Sequence, residues 1–190
     1  MNNLIVKTTA LGLKILSDYV SEGDIVVDAT AGNGNDTLAL AKMVNKTGKV
    51  YSFDIQDEAI ETTKALLEKE GYRDICCLIK DSHHRMQDYI LEKGKLSAVV
   101  FNLGYLPRGE KDITTKKETS LDAVKQALDL IKPNGLVLIT MYSGHEEGKR
   151  EKDALLEYAS KLPSKGYHVA YFNLINQPNN PPELLLITRK

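Results

Sequence analysis

The chain has 190 residues, enough for one α/β domain with a full core, and 42% of them are apolar. Its formal net charge is −1, so the field of the whole molecule does not attract nucleic acid, and any such partner must be met by a local basic patch. No apolar run reaches about 18 residues and the opening "MNNLIVKTTALGLKIL" has neither an unbroken apolar stretch nor a cleavage site, so a cytoplasmic protein with no membrane partner is expected.

The elements follow in alternation. An amphipathic helix over about Thr8 to Val20 ends at "SEGD", and "IVVDA" reads as a buried strand. A helix from Asp36 to about Val44 leads to the strand "KVYSFDI", and "DEAIETTKALLEKEG" is a helix closed by Gly71. "ICCLIK" is a third strand, expected to be buried, with "HHRMQDYILEKG" behind it as a helix; its adjacent Cys76 and Cys77 suit neither an ordinary disulfide nor a metal, and read as structural thiols. "LSAVVFNL" is a fourth strand. A long polar loop, the helix "LDAVKQALDLIKP", the strand "GLVLITMY" and the helix "REKDALLEYASKL" complete the alternation. This pattern predicts a mostly parallel, doubly wound sheet with helices on both faces. At the end "YHVAYFNLI" and "ELLLITRK" are joined only by "NQPNNPP", too short for a crossover helix, so the last two strands run antiparallel. With no linker or repeat in the sequence, residues 1–190 are expected to form one domain.

In such sheets the ligand lies beyond the carboxyl ends of the strands, at the switch point beside the first strand. The strand-one end supplies Asp28, Gly32, Asn33, Gly34, Asn35 and Asp36, where glycines permit a tight turn and the next helix offers unpaired N–H groups. Asp28 either touches ligand or orients the loop, Asn33 and Asn35 either touch ligand or serve as left-handed turn residues, and Asp36 either faces the ligand or caps the helix. Strand two delivers Asp54 at the distance from Gly34 from which a carboxylate accepts from ribose hydroxyls, and Gln56 either reaches the adenosine or caps the following helix. Strand three ends in Asp81, Ser82 and His83, placed for an adenine, with His84 a solvated neighbour. A nicotinamide cofactor would prefer a third glycine where Thr37 stands, whereas S-adenosyl-L-methionine needs no pyrophosphate cradle. S-adenosylmethionine is therefore the expected cofactor, and no metal is expected.

Together and in order, "DATAGNGND", "FDIQ", "KDSHH", "FNLGYLP", "MYSGHEEGK" and "NQPNNPP" resemble the small bacterial family long labelled rRNA methylases. The resemblance covers essentially the whole chain and implies a Rossmann-like class I methyltransferase fold, a seven-stranded sheet with an antiparallel last strand. It also implies methylation of 5-aminomethyluridine, often 2-thiolated, to the 5-methylaminomethyl form at the tRNA wobble position. It supports Ser82 and His83 at the adenine. In this setting Asn102 can orient the accepting amine, Tyr105 can stack on a uracil, and Pro107 would stiffen the loop. After Pro107 the family's loop is richer in glycine, where this chain has "RGEKDITTKKETS". Partners would be the tRNA anticodon region, met by Arg108, Lys111, Lys116, Lys117, Lys149 and Arg150, with a homodimer allowed. His145, Asn179 and Asn180 fall near the expected site without a defined role. The alternatives are methylation of ribosomal RNA or another amine, or a nucleotide-binding module that performs no transfer.

Overall fold

The structure is a computed structural model that describes residues 7–104 and 115–190; Tyr105, Pro107, Arg108 and Lys111 lie outside the described residues. Its elements in chain order are α1 (Thr8–Tyr19), β1 (Ile25–Asp28), α2 (Asn35–Val44), β2 (Lys49–Asp54), α3 (Asp57–Glu70), β3 (Cys76–Lys80), α4 (Met86–Tyr89), β4 (Leu96–Leu103), α5 (Lys117–Leu130), β5 (Ile131–Met141), α6 (Glu146–Ser160), β6 (Tyr167–Phe172) and β7 (Glu183–Arg189). The strands form one sheet in the order β3-β2-β1-β4-β5-β7-β6. Neighbours from β3 to β5 are parallel, and β7 runs antiparallel to both β5 and β6. The short "NQPNNPP" connection thus gives the antiparallel hairpin that its length requires, and Asn179 and Asn180 turn it with positive φ values of 66° and 46°.

The alternation of side chains along each strand divides the core in two. On one face Val26, Val50, Ala98, Val100, Leu136 and Leu138 meet Leu16 of α1, Leu40 and Val44 of α2 and Leu67 of α3. On the other, Val27, Phe53, Val99, Phe101, Val137 and Ile139 meet Met86 of α4, Ala123, Val124 and Ala127 of α5 and Leu155 of α6. Burying both faces is what lets the central strands read as near-continuous apolar runs. Beyond β1 the chain steps to β2 on one side and β4 on the other, which opens the crevice at the β1/β4 boundary.

Three local expectations are corrected. The helix expected over "HHRMQDYILEKG" is a 3-10 turn at His83–Arg85 followed by only one α-helical turn, Met86–Tyr89. Met86 and Ile90 are buried but Leu91 is exposed, so the apolar stripe stops after one turn, and Gln126 of α5 takes over the backbone groups there, accepting from the Gln87 amide at 3.0 Å and donating to the His84 carbonyl. The helix expected to run through Pro133 ends at Leu130, and β5 begins at the next residue, with Asn134 at φ 61° and a register shift against β4 between Leu96 and Ala98. β3 is an edge strand rather than a buried one: Cys76 faces inward, where burial pushes its thiol up to about 11, while Cys77 is exposed.

Candidate active site

The strand-one loop is built around a fully buried carboxylate. Asp28 accepts from the Thr37 hydroxyl at 2.6 Å and the Thr30 amide at 3.1 Å, and Thr37 is bonded in turn to Ser52 of β2 at 2.8 Å. Thr37, where a dinucleotide fingerprint would have its third glycine, is therefore a buried hydrogen-bonding post that ties α2 to β1 and β2. Between these anchors the chain turns through Gly32 (φ 51°) and Gly34 (φ 78°), and a Cβ on Gly34 would come within 3.0 Å of the Thr63 backbone. Gly34 precedes α2 and has no side chain with which to cap it, so among the described residues the first N–H groups of α2 have no side-chain acceptor. Neither Asn33 nor Asn35 has a positive φ, so neither is the left-handed turn residue that its sequence allowed.

This loop forms one wall of a cavity of about 740 Å³ at the carboxyl ends of the strands. Gly32, Asn33, Asn35, Asp54, Gln56, Ser82, His83 and Asn102 all line it, whereas Asp28 and Gly34 do not. Asp28, expected among the ligand contacts, is thereby corrected to a loop-orienting residue beneath the floor, and Gly34 supplies the bend rather than a surface. Asp54 accepts from the Gly32 amide at 2.9 Å and the Gln56 amide at 3.0 Å, which leaves about half of a carboxylate's acceptor capacity for a ligand. Gln56 precedes α3 without making a side-chain cap bond, so its side chain is not spent on the helix. Ile55, more than half exposed, lines the same wall.

At the β3 end the geometry fixes protonation. The Nδ1 of His83 lies 3.2 Å from the Ala29 carbonyl, which can only accept, so Nδ1 carries the proton and Nε2 is a bare acceptor, buried without a hydrogen-bond partner among the described residues. Burial holds this imidazole at about 4, and its ring packs edge-on against Phe101 at 5.8 Å. His83 is a neutral wall of the cavity. Asp81 beside it accepts from the Tyr89 hydroxyl at 2.7 Å, which holds it below the usual carboxylate range, and from Arg85 at 2.8 Å. Ser82 is bonded through its hydroxyl to His84 at 2.7 Å, so His84 is more than a solvated neighbour.

The fourth wall holds a pair that the sequence did not announce. Asn102, at the end of β4, takes its backbone amide to the Thr30 hydroxyl at 2.8 Å and its side-chain Nδ2 to the Asp36 carboxylate at 2.6 Å. An ionised carboxylate can only accept, so the amide must turn its nitrogen to Asp36, and Oδ1 is then its remaining acceptor. Asp36 is not the cap of α2, a position taken by Gly34. Gly104, Thr115, Lys116, Tyr142, His145 and Asn180 also line the cavity. The Thr115 amide bonds the Gly104 carbonyl at 3.2 Å, and the buried Glu151 of α6 accepts from Thr115 at 2.9 Å and Ser120 at 2.6 Å, so both margins of the segment containing Tyr105 are anchored. His145 caps α6, accepting the Gly148 amide at its Nδ1. Tyr142 lies within "MYSGHEEGK" but had no role assigned to it there, whereas Glu151 carried no local motif and only the tertiary fold brings it here. Among the described residues no group of three or more His, Cys, Asp or Glu is placed to hold a metal ion.

The loop's electrostatics predict a measurable stability effect. Burial, with the charges of Asp36 and Asp54 adding to it, raises Asp28 to about 7. A carboxyl whose folded pKa lies above its unfolded value keeps a proton that the unfolded chain has lost, so stability falls as pH rises from about 4 to 7, by about 1.4 kcal/mol per pH unit at most. His83, neutral when folded, works in the opposite sense between about 6.5 and 4 and offsets much of this slope. Asp28→Asn, which can keep both hydrogen bonds, should therefore be more stable than the parent at pH 8 and should lose that advantage towards pH 4. Urea midpoints of both proteins across this range provide the check; a difference independent of pH would reject the buried, raised carboxyl.

Comparison with known proteins places this geometry. The family model described as "Putative rRNA methylase" matches residues 50–188. The Arabidopsis thaliana protein named tRNA (mnm(5)s(2)U34)-methyltransferase, chloroplastic, is 37% identical over 192 residues, covering 97% of this chain and 70% of that protein. A crystal structure described as a "putative rRNA-methylase" from Clostridium thermocellum superposes with a TM-score of 0.94 at 40% identity, covering 97% of this chain and 98% of that one. A Streptococcus mutans protein described as "a putative methyltransferase" and solved in complex with SAH gives a TM-score of 0.87 at 34% identity over 96% of this chain and 97% of that one. With its strand-end cavity and its single reversed strand, the chain belongs to this rRNA methylase family and has the Rossmann-like fold of the class I methyltransferases.

Proposed function

We propose that the protein is an S-adenosylmethionine-dependent methyltransferase acting on the exocyclic amine of 5-aminomethyluridine, with or without a 2-thio group, at the wobble position of tRNA. The observation that carries this reading is the likeness, over 97% of the chain, to a relative named for that tRNA position. The site supports it independently. The cofactor fits the donor set: Asp54 keeps acceptor capacity for ribose hydroxyls, Ile55 offers an apolar surface for one face of the adenine, and Asp81, Ser82 and the orphaned His83 Nε2 stand at the far end. Gln56 and the loop of Gly32, Asn33 and Asn35 complete that half of the cavity.

Bound there, S-adenosylmethionine supplies a methyl group on a good leaving group, so the protein's task is chiefly alignment. Asn102 accepts an N–H of the target amine at Oδ1 and aims the nitrogen lone pair. The apolar walls, Ala29, Ala31 and Phe53 among them, exclude water and press the incoming ammonium towards its neutral form. Tyr105 would stack on the uracil. The RNA backbone is met at the rim by Lys116, which lines the cavity, by Lys117 next to it in sequence, and by Lys149, four residues after the cavity-lining His145; Arg150 is engaged by Glu146 at 3.6 Å and Glu147 at 3.3 Å and contributes less. Phosphate contacts are local and screened within about 10 Å at 0.1 M salt, so a net charge of −1 does not prevent them. An anticodon loop presents its bases unpaired, so little is spent on extracting the uridine. A cytoplasmic site of action fits this substrate, and among the described residues no helix is long and apolar enough to cross a membrane.

Two experiments test the reading. Hydrogen bonds to a charged group contribute roughly 1.5–3 kcal/mol each, so losing two at Asp54 should weaken cofactor affinity by about two to four decades; calorimetry of Asp54→Ala within about twofold of the parent would reject its place on the ribose. For the substrate, purified protein and labelled cofactor are incubated with tRNA carrying the aminomethyl group, tRNA lacking it, and ribosomal RNA. Label should enter only the first, with a yield that falls steeply as salt is raised, and Asn102→Ala should cut transfer while leaving cofactor affinity nearly unchanged. Equal labelling of both tRNAs, or of ribosomal RNA alone, would overturn the substrate assignment, and cofactor binding without any acceptor would point to a non-catalytic module.

A further inference from the structure

Amine methylation leaves one requirement unmet. A primary amine near neutral pH is an ammonium with no lone pair, and desolvation by apolar walls would hinder its entry as much as it helps its deprotonation. Asn102, a neutral amide, cannot take a proton at this pH. The neighbouring residues supply what is missing. Asp36 lines the cavity and is bonded to Asn102 through Oδ2, the only hydrogen bond its side chain makes among the described residues, so none of these occupies Oδ1. The two side chains therefore offer two acceptors side by side, the amide Oδ1 and the carboxylate Oδ1, of which one is charged.

Resting on the methyltransferase reading above, we propose that Asp36 receives the substrate's amine as its ammonium form and takes one proton from it before transfer. The proton passes from the ammonium nitrogen to Asp36, leaving a neutral amine whose lone pair attacks the sulfonium methyl group. The N–C bond forms as the C–S bond breaks, and the bonding pair stays on sulfur. The product leaves as a secondary ammonium and Asp36 returns its proton to water, one proton being released per turnover. Two forces favour the transfer once cofactor and substrate fill the cavity. The positive sulfonium opposes a second cation beside it, and a dehydrated cavity favours a neutral amine and carboxylic acid over an ion pair.

The groups facing Asp36 suit this task. Below it Asp28 of β1 interacts repulsively with its charge, which makes a cation welcome at this end of the cavity. Across from it Tyr142, following β5, is held above the usual phenol range by burial and by the charge of Asp36, so it stays neutral. Asp54 at the end of β2, Lys116 before α5 and His145 just before α6 line the same cavity, and α1 faces Asp36 only with the uncharged Thr9, Gly12, Leu13 and Leu16. A carboxylate placed merely to favour the N-terminus of α2 would not need to reach Asn102, three strand-end turns away in sequence.

The test is Asp36→Asn, whose side-chain oxygen can still accept from Asn102, so that the amide's orientation survives while the charge and the proton acceptor are lost. Rates on aminomethyl tRNA are measured from pH 6 to 9. The parent should vary little over pH 6 to 8, because it uses the ammonium that predominates there; the variant must wait for free amine and should rise about tenfold per pH unit until the amine's own pKa. Asp36→Glu should restore the flat profile. In the absence of cofactor, filter binding at pH 7 should show the parent preferring aminomethyl tRNA over tRNA lacking the group by about tenfold or more, and Asp36→Asn should lose that preference. Parallel pH profiles of parent and variant would overturn the proposal and leave Asp36 a positioning residue for Asn102. Cofactor affinity lowered tenfold or more with an unchanged profile would assign Asp36 instead to the cofactor's own ammonium. Parent protein that leaves aminomethyl tRNA unlabelled would remove the substrate reading and this inference together, whereas an active parent with parallel profiles removes this inference alone.

Discussion

The buried Asp28 carboxylate is the point on which the site depends. It sits at the last position of β1, paired in register with Ser52 of β2 and Val100 of β4, where three strands meet. From there its two oxygens hold the Thr30 amide and the Thr37 hydroxyl, and Thr30 in turn receives the Asn102 amide. One side chain thus sets the path of the glycine turn, the first turn of α2 and the end of β4 relative to each other. A charge so fully removed from water is costly unless compensated, and only partial compensation is present, which is why its protonation is shifted so far. The arrangement sacrifices stability at neutral pH to hold a loop in one conformation.

The electrostatic plan around the cavity follows from the same choice. Four aspartates stand at the strand ends: Asp28 beneath the floor and Asp36, Asp54 and Asp81 on the walls. Their mutual repulsion is visible in Asp28, which the charges of Asp36 and Asp54 push upward. A cationic methyl donor and a cationic amine would both relieve that repulsion, whereas a polyanionic backbone would be turned away from the interior and kept to the rim, where Lys116 stands. An acidic interior with Lys116 on its wall favours a cation over a phosphate within the cavity.

The fold was legible because its signals are redundant. Strands buried on both faces are long apolar runs, Gly71 ends α3 with φ 75°, and the ten residues between β6 and β7 are too few for a parallel last pair. The misreadings fall where a tertiary contact decides. The expected helix after β3 shrinks to one turn because Gln126 of α5 takes its backbone groups, and α5 stops at Leu130 because β4 recruits Ile131 into the sheet. Neither partner is near in sequence, so periodicity alone could not see them.

The site divides along the same line. That Asp54 and Gln56 line the cavity was legible because one closes β2 and the other precedes α3, positions whose geometry is local. Asp28 was legible in kind, as an acid at a strand end, but whether it faced ligand or loop depended on Thr37 and Ser52 being buried beside it. Asp36 could not be separated from a helix cap by sequence, because caps and first-turn ligands use the same residue types. What separates them is the length of the reach: a cap satisfies amides two or three residues away, and Asp36 spends its hydrogen bond on Asn102, 66 residues on. A carboxylate in a helix's first turn that bonds across the sheet's switch point serves the cavity there rather than the helix that carries it.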